Sequence, residues 1–198
     1  ENYEERPCHV YANGSKYTGQ WAGAIRVGTG VQVWADGARY EGQWEEDRAN
    51  GEGSFKHSSG DLYEGQWRND KAHGKGRYIH SNGSCYTGDW VEDKQEGHGT
   101  EVWPDGSKYD GQYLDGLKAG QGKFCWADGS SYVGAFVGND IHGSGTYSWA
   151  DGRSYHGQWD TNRMQGEGVF KWMDGRCYEG GYENDQKSGE GVFKWMDG

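Results

Sequence analysis

Cysteine and histidine are the residues whose spacing in this chain could support metal chemistry. The sequence contains four cysteines and seven histidines, and Cys177 and His156 lie in consecutive segments of similar sequence. If those segments stack side by side, two such pairs from two chains could form a Cys2His2 zinc site. The alternative, which we favour, is a solvent-facing thiol and imidazole that bind no metal. We therefore predict no cofactor, and keep an interfacial zinc ion as the open alternative.

Glycine pairs of the form GxG recur from Gly28 and Gly30 to Gly189 and Gly191. Phosphate-binding loops contain similar glycines, but those loops precede a helix, and no helical pattern follows the pairs here. Catalysis also needs a nucleophile beside a base in a pocket that excludes water. Ser, His and Asp recur instead at turn and surface positions of what we interpret below as a one-layer sheet, which offers little concavity. We therefore expect structural glycines and no enzyme activity.

Composition and charge exclude several classes of protein. Among 198 residues the apolar fraction is 32%, below the roughly 45–50% of ordinary globular domains, so Tyr and Trp rings must build most of the core. No apolar run approaches the roughly 20 residues that span a bilayer. The net charge of −11 disfavours nucleic acid and anionic membranes, both of which require clustered Lys and Arg. Four cysteines are too few for a disulfide scaffold, so we expect a reduced, cytoplasmic protein.

One motif repeats along the whole chain. A tyrosine recurs every 23 residues, followed two positions later by glycine and two further by an aromatic residue, and a GxG pair and a turn dipeptide complete each repeat. Of 30 aromatic residues, 29 fall at four phases of this period, which chance does not explain. We predict a single array over residues 1–198. It comprises a partial repeat at 1–16 and repeats at 17–39, 40–62, 63–85, 86–108, 109–131, 132–154, 155–177 and 178–198.

Rings and glycines alternate with polar residues within each repeat, which is the period-two pattern of strands. Two strands of about five residues, joined by a turn of several residues, form a hairpin, and an Asp-Gly or Asn-Gly dipeptide links it to the next. The predicted fold class is all-β. We expect an elongated, single-layer antiparallel sheet of tandem 23-residue hairpins that twists into a rod.

The glycines inside the strands predict a particular packing. If Trp159 lies opposite Gly168, then Gly157 lies opposite Phe170, and each large ring faces a residue without a side chain. Glycine weakens a strand unless something compensates. We therefore expect rings that lie across glycines and let a single sheet pack one of its own faces. The alternative, that these glycines only make turns, explains the Asp-Gly pairs but not the glycines within the strands.

The pattern YxGxW, GxG and DG on a 23-residue period resembles the MORN-repeat family (membrane occupation and recognition nexus). Residues 63–67 (YEGQW) and 73–76 (HGKG) read like a consensus repeat. The resemblance implies stacked hairpins without catalytic activity. Because the chain consists of repeats throughout, it is most similar to the all-repeat MORN scaffold proteins of apicomplexan and related protozoan cytoskeletons. The alternative is a membrane-targeting or regulatory, phospholipid-associated module of a larger enzyme such as a lipid kinase.

The predicted function is a non-enzymatic scaffold that binds protein partners and organises cytoskeletal or cortical assemblies, including those of cell division. Phospholipid binding, for which the family was named, is expected to be weak or absent. The reason is that no phase of the repeat carries a continuous row of Lys or Arg, which anionic lipid requires.

Two surfaces are candidates for protein binding. The aromatic face presents rings flanked by glycine, a shape that suits an extended peptide or an amphipathic helix. Its candidate partner-binding residues are Tyr63, Trp67, Trp90, Trp103, Trp126 and Trp149. The C-terminal repeats hold all three methionines, which are common at adaptable surfaces, and they end without a polar cap, so we predict an isologous homodimer. Its predicted interface residues are Met164, Trp172, Met173, Tyr182, Phe193, Trp195 and Met196.

Overall fold

The protein is described by a computed structural model that covers residues 3–196. Those residues form 17 strands and no helix, and consecutive strands pair in one open antiparallel sheet. The predicted all-β class, an antiparallel sheet of tandem hairpins, is confirmed. The first two residues of the predicted partial repeat and the last two of the predicted final repeat lie outside the described residues. The strands are β1 (Glu4–Val10), β2 (Lys16–Ala22), β3 (Ile25–Val33), β4 (Arg39–Glu45), β5 (Arg48–Lys56), β6 (Leu62–Arg68), β7 (Lys71–Ile79), β8 (Cys85–Val91), β9 (Lys94–Val102), β10 (Lys108–Leu114), β11 (Leu117–Cys125), β12 (Ser131–Val137), β13 (Asp140–Ser148), β14 (Ser154–Asp160), β15 (Arg163–Lys171), β16 (Cys177–Glu183) and β17 (Gln186–Lys194).

Each full repeat builds one hairpin from a strand of 7 residues and a strand of 9 residues. Thr161 and Asn162 join β14 to β15, with φ angles of 46° and 66°. Two consecutive positive φ angles are typical of a type I′ turn, whose twist matches that of the strands it joins. The expected turn of several residues is therefore wrong. The polar residues after this turn read as a loop in the sequence, but they are strand residues that pair with β14 and β16.

A five-residue loop links each hairpin to the next, as the Asp-Gly dipeptides predict. Between β3 and β4, the Trp34 amide donates a hydrogen bond to the Ala38 carbonyl oxygen (2.9 Å), and the Gly37 amide donates to the Trp34 carbonyl oxygen (3.0 Å). The Asp36 carboxylate accepts from the Ala38 amide (3.0 Å). Gly37 has a φ of +89°, which glycine adopts without the steric cost that a Cβ imposes.

The pairing of β14 with β15 differs from the predicted register. Tyr155 lies opposite Phe170 and Gly157 lies opposite Gly168, with a β-bulge between Gly157 and Trp159. The predicted pairs Trp159–Gly168 and Gly157–Phe170 are therefore wrong. The tight turn sets the register, and the bulge absorbs the two extra residues of the longer strand.

Rings do lie across glycines, but one tyrosine covers two facing glycines. A Cβ atom on Gly157 would lie 2.5 Å from Tyr155 Oη, and the Tyr155 hydroxyl donates a hydrogen bond to the Gln158 carbonyl oxygen (3.0 Å). Tyr155 is fully buried by its own sheet and neighbouring rings, without a second sheet among the described residues. The glycine pair is therefore required for steric reasons, because any side chain there would displace the ring.

The chain divides into two compact units, an N-terminal unit up to Gly97 and a C-terminal unit from His98. Within each unit, rings of adjacent repeats pack edge to face, as Tyr40 and Trp67 do with centroids 5.2 Å apart. The buried cluster of the N-terminal unit contains Tyr17, Trp21, Tyr40, Trp44 and Ala49. Buried apolar residues of the C-terminal unit include Tyr109, Tyr113, Tyr132, Phe136, Ile141, Tyr155, Trp159, Tyr178 and Tyr182. Residues 3–196 contain no helix long and apolar enough to cross a membrane.

Candidate functional site

The N-terminal unit carries a groove of 1430 Å³ on its aromatic face. We call it the aromatic groove. Its aromatic lining comprises Tyr11, Trp21, Trp34, Tyr40, Trp44, Phe55, Tyr63, Trp67, Tyr78 and Trp90. The expectation that a one-layer sheet offers little concavity is wrong for this unit. Ala49 and Ala72, which also line the groove, present only methyl groups between the rings, and this leaves space along the face.

Hydrogen bonds hold three tryptophan rings of the groove in place. The indole Nε1 of Trp44 donates to the Gly30 carbonyl oxygen (3.1 Å). The equivalent bonds in the next two repeats run from Trp67 to Gly53 (3.1 Å) and from Trp90 to Gly76 (3.2 Å). A partner would therefore meet rings that are already oriented, and binding them would cost little side-chain entropy.

The turns of successive hairpins are joined by a side-chain hydrogen bond. Where the second residue of a type I′ turn is Asp or Asn, its side chain accepts a bond from a backbone amide of the preceding hairpin, 21 residues earlier. In the N-terminal unit, carboxylates of Asp47, Asp70 and Asp93 accept from the amides of Arg26, Ala49 and Ala72, each at 2.8 Å. In the C-terminal unit, Asn139 and Asn162 accept equivalent bonds at 2.9 and 2.8 Å. An amide oxygen can therefore accept this hydrogen bond in place of a carboxylate oxygen, so folding does not require a negative charge at this position.

The charge of the groove at neutral pH comes from three carboxylates and from the guanidinium groups of Arg6 and Arg26, and not from its tyrosines. Asp47, Asp70 and Asp93 all line it. Burial raises the pKa of Tyr78 to about 12, with a further contribution from its hydrogen bond to Asp61. Burial likewise raises the pKa of Tyr40, so these hydroxyls stay neutral.

The six residues predicted to bind partners fall into two groups. Tyr63, Trp67 and Trp90 line the aromatic groove. The other three, Trp103, Trp126 and Trp149, belong to the C-terminal unit, where they are half-buried at the starts of inter-hairpin loops. Their role in binding stays a prediction for both groups.

The residues predicted to form a dimer interface differ in exposure. Tyr182 is buried, while Met164 and Trp172 are half-buried. The remaining four, Met173, Phe193, Trp195 and Met196, are exposed at 77%, 44%, 57% and 76%. The exposed residues lie on β17 and in the loops next to it, so they are the part of the set that a second chain could contact directly.

The predicted zinc ligands are not neighbours within the chain. His156 lies on β14 and Cys177 on β16, with β15 between them. The His156 ring nitrogen Nδ1 lies 2.8 Å from Thr146 Oγ1, and all four cysteines are free thiols. Residues 3–196 hold no cluster of three or more His, Cys, Asp or Glu that could bind a metal ion, and the zinc site between two chains stays a prediction.

Several residues of the groove were not identified from the sequence. Ala49, Ala72, Asp70 and Asp93 lie in segments that read as polar turns. One signal could have indicated them, because the side chain two residues after each hairpin turn varies widely in size from repeat to repeat. The residues at this position are Arg26, Ala49, Ala72, Gln95, Lys118, Ile141, Met164 and Lys187. Once that position is placed in a strand, its side chain points to the aromatic face, and the two alanines mark an opening.

Some solved structures are similar to this chain at low sequence identity. The TCP domain of Drosophila melanogaster SAS-4, in complex with a proline-rich motif of Ana2, is 13% identical, covers 86% of each chain and has a TM-score of 0.47. The TCP10c domain of Drosophila melanogaster Sas-4 is 12% identical, covers 96% of this chain and 98% of that chain, and has a TM-score of 0.40. The wild-type TCP10 domain of Danio rerio CPAP is 12% identical, covers 88% and 83%, and has a TM-score of 0.32. With every TM-score below 0.5, these likenesses carry no argument about this chain.

The repeats themselves match a known family model. A search of curated proteins found no significant match. The model of the MORN repeat, however, matches residues 17–39, 40–62, 63–85, 86–108, 109–131, 132–152, 155–175 and 178–198. These matches cover most of the chain and coincide with the observed hairpins, so the chain belongs to the MORN-repeat family.

Proposed function

We propose that this chain is a non-catalytic protein-interaction scaffold that holds an extended segment of a partner protein in the aromatic groove. The observation that carries the proposal is the groove of 1430 Å³ itself, lined by pre-oriented rings from successive repeats. Clefts lined by aromatic side chains with a few placed polar groups are typical binding sites. In line with the all-repeat scaffolds that the sequence resembles, we place this function in a cytoskeletal or cortical assembly.

The repetition of the groove favours an extended partner over a globular one. Successive hairpins advance by two strand spacings, which is about 9–10 Å. An extended peptide that runs across the hairpins would meet the same arrangement of Tyr, Trp and Asp at each step. About 12 extended residues, at about 3.3 Å each, would therefore span four hairpins.

Selection of displayed random peptides on the full chain tests this function. The matched variant is Ala49→Met with Ala72→Met, because Met164 shows that methionine fits the same repeat position. Peptides enriched on the unmodified protein should bind the double variant at least about tenfold more weakly, since methionine side chains fill the groove. A Met164→Ala variant serves as the control and should bind normally. Failure to enrich any peptide, or equal binding to both proteins, would contradict the proposed function.

We also propose that two copies associate through the exposed apolar side chains of β17 and the loops beside it. Met173, Trp195 and Met196 are more than half exposed, and β17 pairs with β16 along one of its edges. Exposed apolar patches on proteins tend to be interfaces, and an antiparallel contact between two copies of one strand satisfies two-fold symmetry.

Light scattering coupled to size exclusion tests the dimer. At micromolar concentration the mass should be about twice 22.1 kDa, and a Met173→Ser, Trp195→Ser variant should approach the monomer mass because it removes apolar contact area. Val137→Ser is the control, since Val137 is 59% exposed but lies far from β17 in sequence. A monomeric unmodified chain, or a dimer that the double variant leaves intact, would contradict this interface.

A further inference from the structure

One repeat of the N-terminal unit holds a cation on its aromatic face. The Arg26 guanidinium lies over the Trp44 ring, with 4.2 Å from Cζ to the ring centroid, and 5.7 Å from the Tyr17 ring centroid. Its Nε lies 3.1 Å from Asp47 Oδ1, and its Nη1 donates to Gln32 Oε1 (3.1 Å). A ring pair and a carboxylate therefore surround a positive charge in this repeat.

Two lysines of the C-terminal unit also lie over rings, and each shares with Arg26 a contact to the tyrosine nine residues earlier in sequence. Lys118, at the repeat position of Arg26, places its Nζ 4.9 Å from the Trp103 ring centroid and 5.2 Å from that of Tyr109. Lys187, at the same position, lies 5.1 Å from the Trp172 ring centroid. Attraction between a cation and the face of an aromatic ring operates at these distances. The aromatic face thus accepts a cation at three separate repeats of this chain.

Two intermediate repeats keep this arrangement but lack the cation. Around Ala49 stand Tyr40, Trp67 and Asp70, and we call this the Ala49 site. The Tyr40 and Trp67 rings are 5.2 Å apart, close to the 5.4 Å between Tyr17 and Trp44 that accompanies Arg26. Alanine leaves the space above those rings open to the groove.

The next repeat repeats the arrangement around Ala72. Tyr63, Trp90 and Asp93 stand around it, and we call this the Ala72 site. The Tyr63 and Trp90 rings are again 5.2 Å apart. Both sites line the aromatic groove, and among residues 3–196 no Lys, Arg or His nitrogen lies within 4 Å of either Asp70 or Asp93.

The spacing of the two sites constrains what could fill them. They are one repeat apart, which is about 9–10 Å across the sheet. A polyproline II segment advances about 3.1 Å per residue, or about 9.3 Å in three residues. Side chains three residues apart on such a segment therefore reach both sites, whereas side chains two residues apart fall about 3 Å short.

We propose that the partner segment carries Lys or Arg side chains three residues apart, and that these side chains occupy the Ala49 and Ala72 sites as Arg26 occupies its own repeat. This inference rests on the proposed function, because it specifies the peptide that the groove holds. The rings supply cation–π contacts, and Asp70 and Asp93 supply the opposite charge. The chain's own Arg26, which lies over the Trp44 ring and beside Asp47, shows the geometry that the partner would reproduce.

Fluorescence anisotropy with synthetic probe peptides tests the inference at physiological salt. The probe is a labelled peptide of Pro-Pro-Arg triplets. It is compared with a peptide of Pro-Pro-Gln triplets and with an isomer of the probe in which the same Arg residues are grouped so that each is two residues from the next. The Pro-Pro-Arg probe should bind about tenfold more tightly than either comparison peptide, since two cation contacts add and depend on spacing.

Variants of the protein test which of its residues contact the bound probe. Asp70→Asn and Asp93→Asn should each weaken the Pro-Pro-Arg probe by about fivefold, while Asn preserves the turn hydrogen bond as Asn162 does. Ala49→Arg should weaken the Pro-Pro-Arg probe by at least about fivefold, because its guanidinium fills one of the two sites as Arg26 fills its own. Two controls should bind normally: Met164→Arg at the same position of the C-terminal unit, and Glu64→Gln, an exposed charge on the opposite face of β6.

The possible failures are distinct from a failure of the proposed function. Equal binding of the Gln and Arg probes, with loss in Ala49→Arg, would overturn the cation sites and leave the peptide groove intact. Equal weakening by Glu64→Gln and Asp70→Asn would also overturn them, because it indicates only diffuse charge attraction. No binding of any probe overturns the inference, whereas the proposed function is judged by the random-peptide selection, whose enriched peptides need not be basic.

Discussion

Replacement of Gly122 by alanine is expected to lower the free energy of unfolding by about 3 kcal/mol, the upper range for overpacking a tight core. A Cβ atom on Gly122 would lie 2.5 Å from Tyr109 Oη and 2.7 Å from two carbons of the same ring. Tyr109 is fully buried, and its hydroxyl donates a hydrogen bond to the Gln112 carbonyl oxygen (2.9 Å). The ring cannot move aside without losing that bond and its contacts with neighbouring rings.

Thermal and urea denaturation followed by circular dichroism measure this effect, and Gly129→Ala is the matched control. Gly129 lies in the loop after β11, has a φ of +88°, and a Cβ there would approach only the Ala150 Cβ at 3.7 Å. Its replacement should cost about 1–2 kcal/mol, the strain of a side chain in the left-handed region. If both variants lose equal stability, backbone strain and not ring packing explains the glycine, and our account of the core is wrong.

Raising the pH above 10 is expected to unfold the protein cooperatively before its buried tyrosines ionise in the folded state. Burial raises the pKa of several tyrosines to about 12, and desolvation is the main cause in each. They include Tyr17, Tyr109, Tyr132, Tyr155 and Tyr182. In the unfolded chain each hydroxyl ionises near its usual value of about 10. Above that pH the unfolded state binds fewer protons than the folded state, so the free energy of unfolding falls as pH rises.

The size of this effect follows from proton linkage. Each tyrosine that is ionised only in the unfolded state lowers stability by up to about 1.4 kcal/mol per pH unit between its two pKa values. Several such groups acting together should therefore unfold the chain between about pH 10 and 12. Below pH 10 this contribution to stability is complete and should not vary with pH.

Absorbance of tyrosinate and circular dichroism, recorded on the same samples, check the alkaline transition. The two signals should change together, because ionisation of the buried rings requires unfolding. A Tyr109→Phe variant should show a shallower pH dependence, since one linked group is removed, although it also loses one hydrogen bond. Smooth ionisation near pH 10 with unchanged circular dichroism would show that the rings are accessible in the folded state.

Tyr-over-glycine packing explains how this fold is stable although its core contains few branched aliphatic residues. In an ordinary domain a second layer of secondary structure covers the apolar face. Here the Tyr155 ring, Gly157 and Gly168 provide that cover within one sheet. Trp side chains of adjacent repeats then cover the tyrosines, as Trp159 does for Tyr132 with centroids 5.6 Å apart.

Part of the candidate site could be predicted from the sequence and part could not. The sequence identifies Tyr63, Trp67 and Trp90 because aromatic residues recur at fixed phases of the period. Ala49 and Asp70 were missed because their segment is polar and contains turn-forming residues, which favours a loop over a strand. Asp70 is joined to Ala49 by a hydrogen bond across 21 residues of sequence, and no local pattern reports a bond of that range.

The sequence by itself determined the repeat, the all-β class and the residues that form the aromatic face, because period-two alternation and the 23-residue spacing are local properties of the chain. Only the tertiary structure decided the register, the two-residue turns and the groove. The register depends on which of several turn lengths closes each hairpin, and in β14 and β15 a bulge beside Gly157 completes it. The groove depends on how far Ala49 and Ala72 lie below rings from neighbouring hairpins, and those contacts form only when the hairpins stack.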